Sequence, residues 1–332
     1  MAENVTMEIQ EVEAPTKKQK KNILEDITEK LNVGEKTLKL YLNNLIRLND
    51  GQPIKNLNFL KNPDAIAEKI STYKPNTQRT YYIGIVSVLK ENPKFKKQYK
   101  IYYDRMMEFN KELRTNKVKS ETQKDNWMEQ SDVLGRQQAL KDSATSLLKK
   151  KKLTETEFGT LLDWVVLSLY TLQPPRRNAD YQYCFVVKHF EPDLSTDVNY
   201  YALDNGTFYL NNYKTKKSYH QQSVEAPPEL QETINAYLQF HPLKSHLKKK
   251  GGDPVPLLVN AEGHPFTNIN SITRILNKIF GKRVGVSLLR NIFLTDKYGE
   301  KVSGLEEDAS AMGTSPGTIM NNYVKVDGSP EV

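Results

Sequence analysis

Four clusters of polar side chains interrupt the apolar pattern of this 332-residue chain, and each supplies a cation or a hydroxyl. In "TLQPPRRNADY" an apolar helical run stops at Pro174-Pro175, Arg176 and Arg177 follow, and Asp180 lies three residues past Arg177. A guanidinium at such a break suits bidentate contact with a phosphate, and Asp180 would hold Arg177 from behind. A surface arginine pair beside a helix cap has the same sequence. In "NNYKTKKSYHQQ" the basic turn Lys214, Lys216, Lys217, followed by His220, joins two strand-like runs. Such a turn can lie in a DNA groove and one lysine can protonate a leaving oxygen, although an ordinary exposed turn reads alike. In "VGVSLLRNIFLT" Arg290 stands among Val286, Leu288, Leu289, Ile292, Phe293 and Leu294. An unpaired buried guanidinium is costly, so Arg290 must point along one face toward a partner, either a ligand or a structural carboxylate. Near the end, "AMGTSPGTIMNNYVKV" carries Gly313-Thr314 and then Tyr323, a tyrosine that packing of a terminal helix would also explain.

The elements that must position these groups are mainly helical. Residues 1–22 run from acidic to basic with no apolar period and read as a disordered tail, "KKQKK" being a solvated charge run, a nuclear address or a DNA-touching arm. From Ile23 to about Asn116, apolar residues recur at helical spacing and predict a small domain of four or five helices. Asn62 or Asp64 would cap one of them, Asn76 or Thr77 another, and Asp50-Gly51 would stop a third. Residues 117–126 are polar and read as a linker. A second domain over 127–326 opens with long helices, crosses two or three strands around "CFVVKHF", "GTFYLNNY" and "HQQSVEAP", and returns to helices; 327–332 form a short tail. The expected class is mainly α with a small antiparallel β-sheet.

Composition narrows the partners. Lys and Arg number 48 against 40 Asp and Glu, a net charge of +8, and the mean hydropathy of -0.65 describes a well-solvated chain. The basic excess favours nucleic acid first and anionic membrane second. The lone Cys184 forbids an internal disulfide and fits a reducing compartment. No apolar run approaches a membrane span, and the opening residues lack the pattern of a secretory leader. The scattered histidines and single cysteine offer no metal-ligand cluster.

Taken in order, the arginine after a core helix, the hairpin lysine, the arginine on an apolar helix and the tyrosine near the C-terminus resemble the catalytic domain of the tyrosine recombinases. The resemblance covers 127–326, and the helical stretch 23–116, with "YKPNTQRTYYIGIVSVLK", is similar to that family's core-binding domain, which clamps DNA from the other side. In detail ("TLQPPRRNADY", "YKTKKSYH", "NWMEQSD", "NNYVKV") it looks most like integrase-like members from large DNA viruses and virophages. The resemblance implies Arg177, or Arg176 if the loop shifts by one, as first catalytic arginine, Lys214 as proton donor, Arg290 as second arginine and Tyr323 as nucleophile. It implies DNA contacts at Arg176, Lys216, Lys217, His220, Lys74, Thr77 and Arg79, a tetramer on double-stranded DNA, an intracellular setting, and no metal or other cofactor.

Two positions depart from the family. The His-x-x-Arg motif reads Ser287-Leu288-Leu289-Arg290, and Thr314 stands where a histidine or tryptophan is usual. Neither hydroxyl takes up a proton near neutral pH, so general-base help is lost or comes from His220 or His264. A type IB topoisomerase and a decayed recombinase that only holds DNA are the rival readings.

Overall fold

A computed structural model describes residues 27, 29, 31, 33–90, 92–115, 118–248, 253–268 and 270–324. The expected tails at 1–22 and 327–332, and most of the helix expected to begin at Ile23, lie outside the described residues. The chain divides into two compact units, Met1–Val118 and Lys119–Val332.

The first unit is helical. Helix α1 (Glu35–Leu48) buries Tyr41, Leu45 and Leu48 on one face, and stops where Asp50 and Gly51 both take positive φ. Helix α2 (Pro63–Ser71) is capped by Asn62, whose side chain accepts from the amides of Asp64 and Ala65. Helix α3 (Pro75–Leu89) begins earlier than a cap at Asn76 or Thr77 would require. Pro75 takes the first helical position, where a missing N–H costs nothing, and Lys74 precedes it without a side-chain cap. Helix α4 (Lys96–Thr115) packs on α3. Leu45, Leu60, Ile66, Ile70, Ile85, Leu89 and Tyr102 form the core, each at most 1–2% exposed.

The second unit opens with a helix where a linker was expected. Ser120 and Gln123 form a reciprocal capping box that starts α5 (Glu121–Asn126). The sequence there has no apolar period because this short helix buries no side chain. Helices α6 (Gln130–Leu147) and α7 (Glu155–Thr171) follow. Every residue of α7 from Leu161 to Tyr170 is buried, which makes it the centre of the unit. The remaining helices are α8 (Asn178–Gln182), α9 (Lys216–Tyr219), α10 (Pro228–Gln239), α11 (Lys244–Lys248), α12 (Ser271–Phe280), α13 (Val286–Ala311) and the single turn α14 (Pro316–Thr318).

The sheet is mixed, which corrects the antiparallel expectation. Strands β1 (Cys184–Val187), β2 (Asn199–Ala202), β3 (Thr207–Leu210), β4 (Gln222–Glu225) and β5 (Val255–Pro256) lie in the order β4-β3-β2-β1-β5. Strands β1 and β2 run parallel, with Cys184 opposite Asn199. A parallel pair needs a crossover, and residues 188–198 supply it, setting Phe190, Leu194 and Val198 against Val187, Tyr200 and Tyr209 on the second face of the sheet. The main core takes the other face, through Val186, Tyr201, Phe208 and Leu210. Among the described residues no helix is long and apolar enough to cross a membrane.

Candidate functional site

The arginine segment is fixed by a buried carboxylate, and the arginine it selects is Arg176. Asp180 is 1% exposed, and its Oδ2 accepts from Arg176 Nε at 2.9 Å. The expected pairing of Asp180 with Arg177 therefore gives way to one with Arg176, four residues before it and just ahead of the helix N-cap at Arg177. Burial raises the pKa of the Asp180 carboxyl, and the neighbouring Arg176 charge opposes the rise. Arg176 Nη2 also donates to Gln222 Oε1 on β4 at 3.0 Å, and its guanidinium lies 5.5 Å from the centre of the Tyr213 ring. These contacts leave Arg176 Nη1 without a partner among the described residues, on a group whose position is set from three sides. Arg177 makes no side-chain hydrogen bond among the described residues; its carbonyl accepts from the Asp180 amide at 3.0 Å, and its charge favours the ionised Asp180 from farther off.

The lysine loop is tied to that segment through Asn199. Its side chain is fully buried and donates to the carbonyls of Asp180 at 2.9 Å and Asn212 at 3.1 Å. Its Oδ1 accepts from the amides of Asn211 at 2.9 Å and Asn212 at 2.8 Å. One amide thus satisfies backbone groups of both the arginine segment and the root of the loop that carries Lys214. Tyr213 closes the loop by donating from its hydroxyl to the His220 carbonyl at 2.6 Å. His220 is held at φ 52, ψ -154, a region unfavourable to a side-chain-bearing residue. Lys214, Lys216, Lys217 and His220 are exposed, and the turn between β3 and β4 contains the helical turn α9 instead of a plain β-turn.

Asn199, Gln222, Tyr213 and Asn178 carry no signal in the sequence. Asn178 accepts from the Tyr170 hydroxyl at 2.9 Å and donates to Thr273 Oγ1 of α12 at 3.0 Å. Asparagine and glutamine mark turns as often as buried networks, and only the strand pairing reveals which.

The remaining candidates sit on α13 and beyond. Leu288, Leu289 and Ile292 face the core. Helical geometry turns Ser287 and Arg290 toward the other side, three residues apart on one face. Arg290 is half-buried and has no ion pair among the described residues, so the structural-carboxylate alternative for it finds no support. Helix α13 runs on to Ala311, and Gly313 at φ 63 terminates it. Thr314 donates its amide to the Ala309 carbonyl at 2.9 Å. Tyr323 ends a π-helical turn, Ile319–Tyr323, and is 62% exposed. No hydrogen bond or ion pair among the described residues joins Ser287, Arg290, Thr314 or Tyr323 to Arg176 or to the lysine loop.

In the first unit, Arg79 is engaged by the Asn110 side chain of α4, while Lys74 and Thr77 are exposed at the start of α3. No group of three or more His, Cys, Asp or Glu side chains suited to a metal ion occurs among the described residues. Comparison with protein-family models, with curated proteins and with solved structures finds no match.

Proposed function

We propose that the chain is a tyrosine-type DNA strand transferase, a recombinase or integrase that cuts and rejoins DNA through a 3′-phosphotyrosine link. The observation that carries this reading is the fixed guanidinium of Arg176, anchored on Asp180 and Gln222 with Nη1 still open beside the loop bearing Lys214. Arg290, half-buried and without an ion pair among the described residues, supplies a second guanidinium in the same unit.

The chemistry follows from these groups. As the Tyr323 hydroxyl oxygen attacks phosphorus, its proton passes to solvent water. Arg176 and Arg290 neutralise the charge that grows on the phosphoryl oxygens, which is the largest catalytic contribution in such a scheme. The bond to the 5′ oxygen breaks as the bond to Tyr323 forms, and Lys214 gives that oxygen its proton. Ser287 and Thr314 contribute hydrogen bonds to a phosphoryl oxygen and no proton transfer. Tyr323 is exposed and has no side-chain hydrogen bond among the described residues, which leaves its hydroxyl open to a phosphate. Four protomers on two DNA sites would complete an exchange.

A second reading, a protein of the same build that binds DNA without cutting it, is favoured by Ser287, Thr314 and the free Tyr323. Covalent capture separates the two. Nicked duplexes and four-way junctions from the genome that encodes the protein are incubated with the wild type and with Tyr323→Phe, then denatured. A protein–DNA band absent from the variant is the expected result. Firm, salt-sensitive binding with no band in either would replace the first reading by the second.

A further inference from the structure

The lysines in and around the α3–α4 connection form a surface that the catalytic scheme leaves unused. Lys90 ends α3, Lys94 lies in the 3-10 turn Pro93–Phe95, and Lys96, Lys97 and Lys100 occupy the first turns of α4. All five are exposed, and none has an ion pair among the described residues. Helix stability does not explain them: α4 has no acidic residue in its first turn, and cations there oppose the helix dipole. Helical spacing puts Lys96, Lys100, Tyr103 and Met107 on one face, opposite the side on which Tyr102 and Phe109 meet the core. Tyr103 is 39% exposed and stacks on Tyr99 with ring centres 5.9 Å apart. The expected contacts at Lys74, Thr77 and Arg79 belong to the opposite end of α3, where Arg79 is already held by Asn110.

We infer that this lysine and tyrosine surface is where the first unit meets nucleic acid, gripping the phosphate backbone of a duplex with its lysines and leaving Tyr103 against sugar or base edges. The inference rests on the DNA-processing reading and deepens it by choosing the end of the unit that touches DNA. A run of phosphates is the partner that answers closely spaced, unpaired lysines with interleaved tyrosines. An anionic lipid surface answers the charge alone, since a membrane-lying helix also needs a broad apolar face, and among the described residues of α4 the exposed aliphatic side chains are Ile101 and Met107.

The test compares three full-length proteins on a duplex of mixed sequence across a salt series. They are the wild type, the Lys94→Gln, Lys96→Gln, Lys97→Gln, Lys100→Gln variant, and a control with Lys149→Gln, Lys151→Gln, Lys152→Gln in the second unit. Circular dichroism first verifies that each is folded. The four-site variant is expected to bind about 10- to 100-fold more weakly at low salt, with a salt slope shallower by about 2–4, while the control stays within about threefold. Equal loss in both variants would reduce the effect to bulk charge and overturn the inference. Wild-type binding in the four-site variant would overturn it too, with the DNA reading intact. Failure of the wild type to bind any duplex, with retention on phosphatidylserine vesicles, would overturn both.

Discussion

The two units carry their charge unequally. Residues 1–118 carry 22 Lys and Arg against 15 Asp and Glu, whereas residues 119–332 carry 26 against 25. The first unit therefore holds nearly all of the net positive charge. The second is almost neutral, and its candidate cations are few and individually placed, Arg176 above all. On the proposed function, long-range attraction and local chemistry would rest on different residues, and each could be removed without the other.

The largest effect expected is on cleavage. Arg176→Gln should lower the rate of covalent complex formation by about 10²–10³ while leaving duplex affinity within a few fold, and Arg177→Gln should cost less than about tenfold. Single-turnover capture at saturating protein measures both, and the reverse order would return the role to Arg177. Next comes the scaffold beneath that site. Asn199→Ala strands buried carbonyls and amides of two segments and should destabilise the second unit by about 3 kcal/mol. Both tryptophans, Trp127 and Trp164, lie in that unit, so denaturant unfolding followed by their fluorescence reads it directly.

A comparable loss is expected from acid. His241 is fully buried, donates to the Pro256 carbonyl and accepts from the Leu243 amide, and burial lowers its pKa to about 4. The unfolded ring takes a proton near pH 6.5 while the folded ring resists it. The stabilisation is complete above about pH 6.5 and drains away as pH falls toward 4, amounting to on the order of 3 kcal/mol. Tryptophan-detected unfolding of the second unit should show this slope, and His241→Gln should flatten it. The smallest effect concerns the lysine loop. His220→Gly relieves an unfavourable backbone conformation and should stabilise the unit by about 1 kcal/mol, read as a small rise in midpoint.

Much of this division was legible in the sequence. The helical period of 33–115 and the apolar run of α7 announce both cores, and Gly313 marks the end of α13 because only glycine enters the left-handed region freely. What stayed hidden depends on tertiary partners. The parallel pairing of β1 and β2 needed the crossover 188–198 to pack on the sheet, which no local pattern encodes. The choice between Arg176 and Arg177 turned on which side chain meets Asp180 once α8 forms. Asn199 reads as a turn residue until the strand around it buries it. The helix α5 was missed because its signal is a capping box, Ser120 with Gln123, and not an apolar face.

The most direct test of the central claim is to map the link itself. After capture on a nicked duplex labelled on either side of the break, protease digestion and mass spectrometry identify the residue joined to DNA and the polarity of the bond. The account predicts a 3′-phosphate joined to Tyr323. A link to another residue, a 5′ polarity, or no adduct on DNA that the protein holds firmly would contradict it.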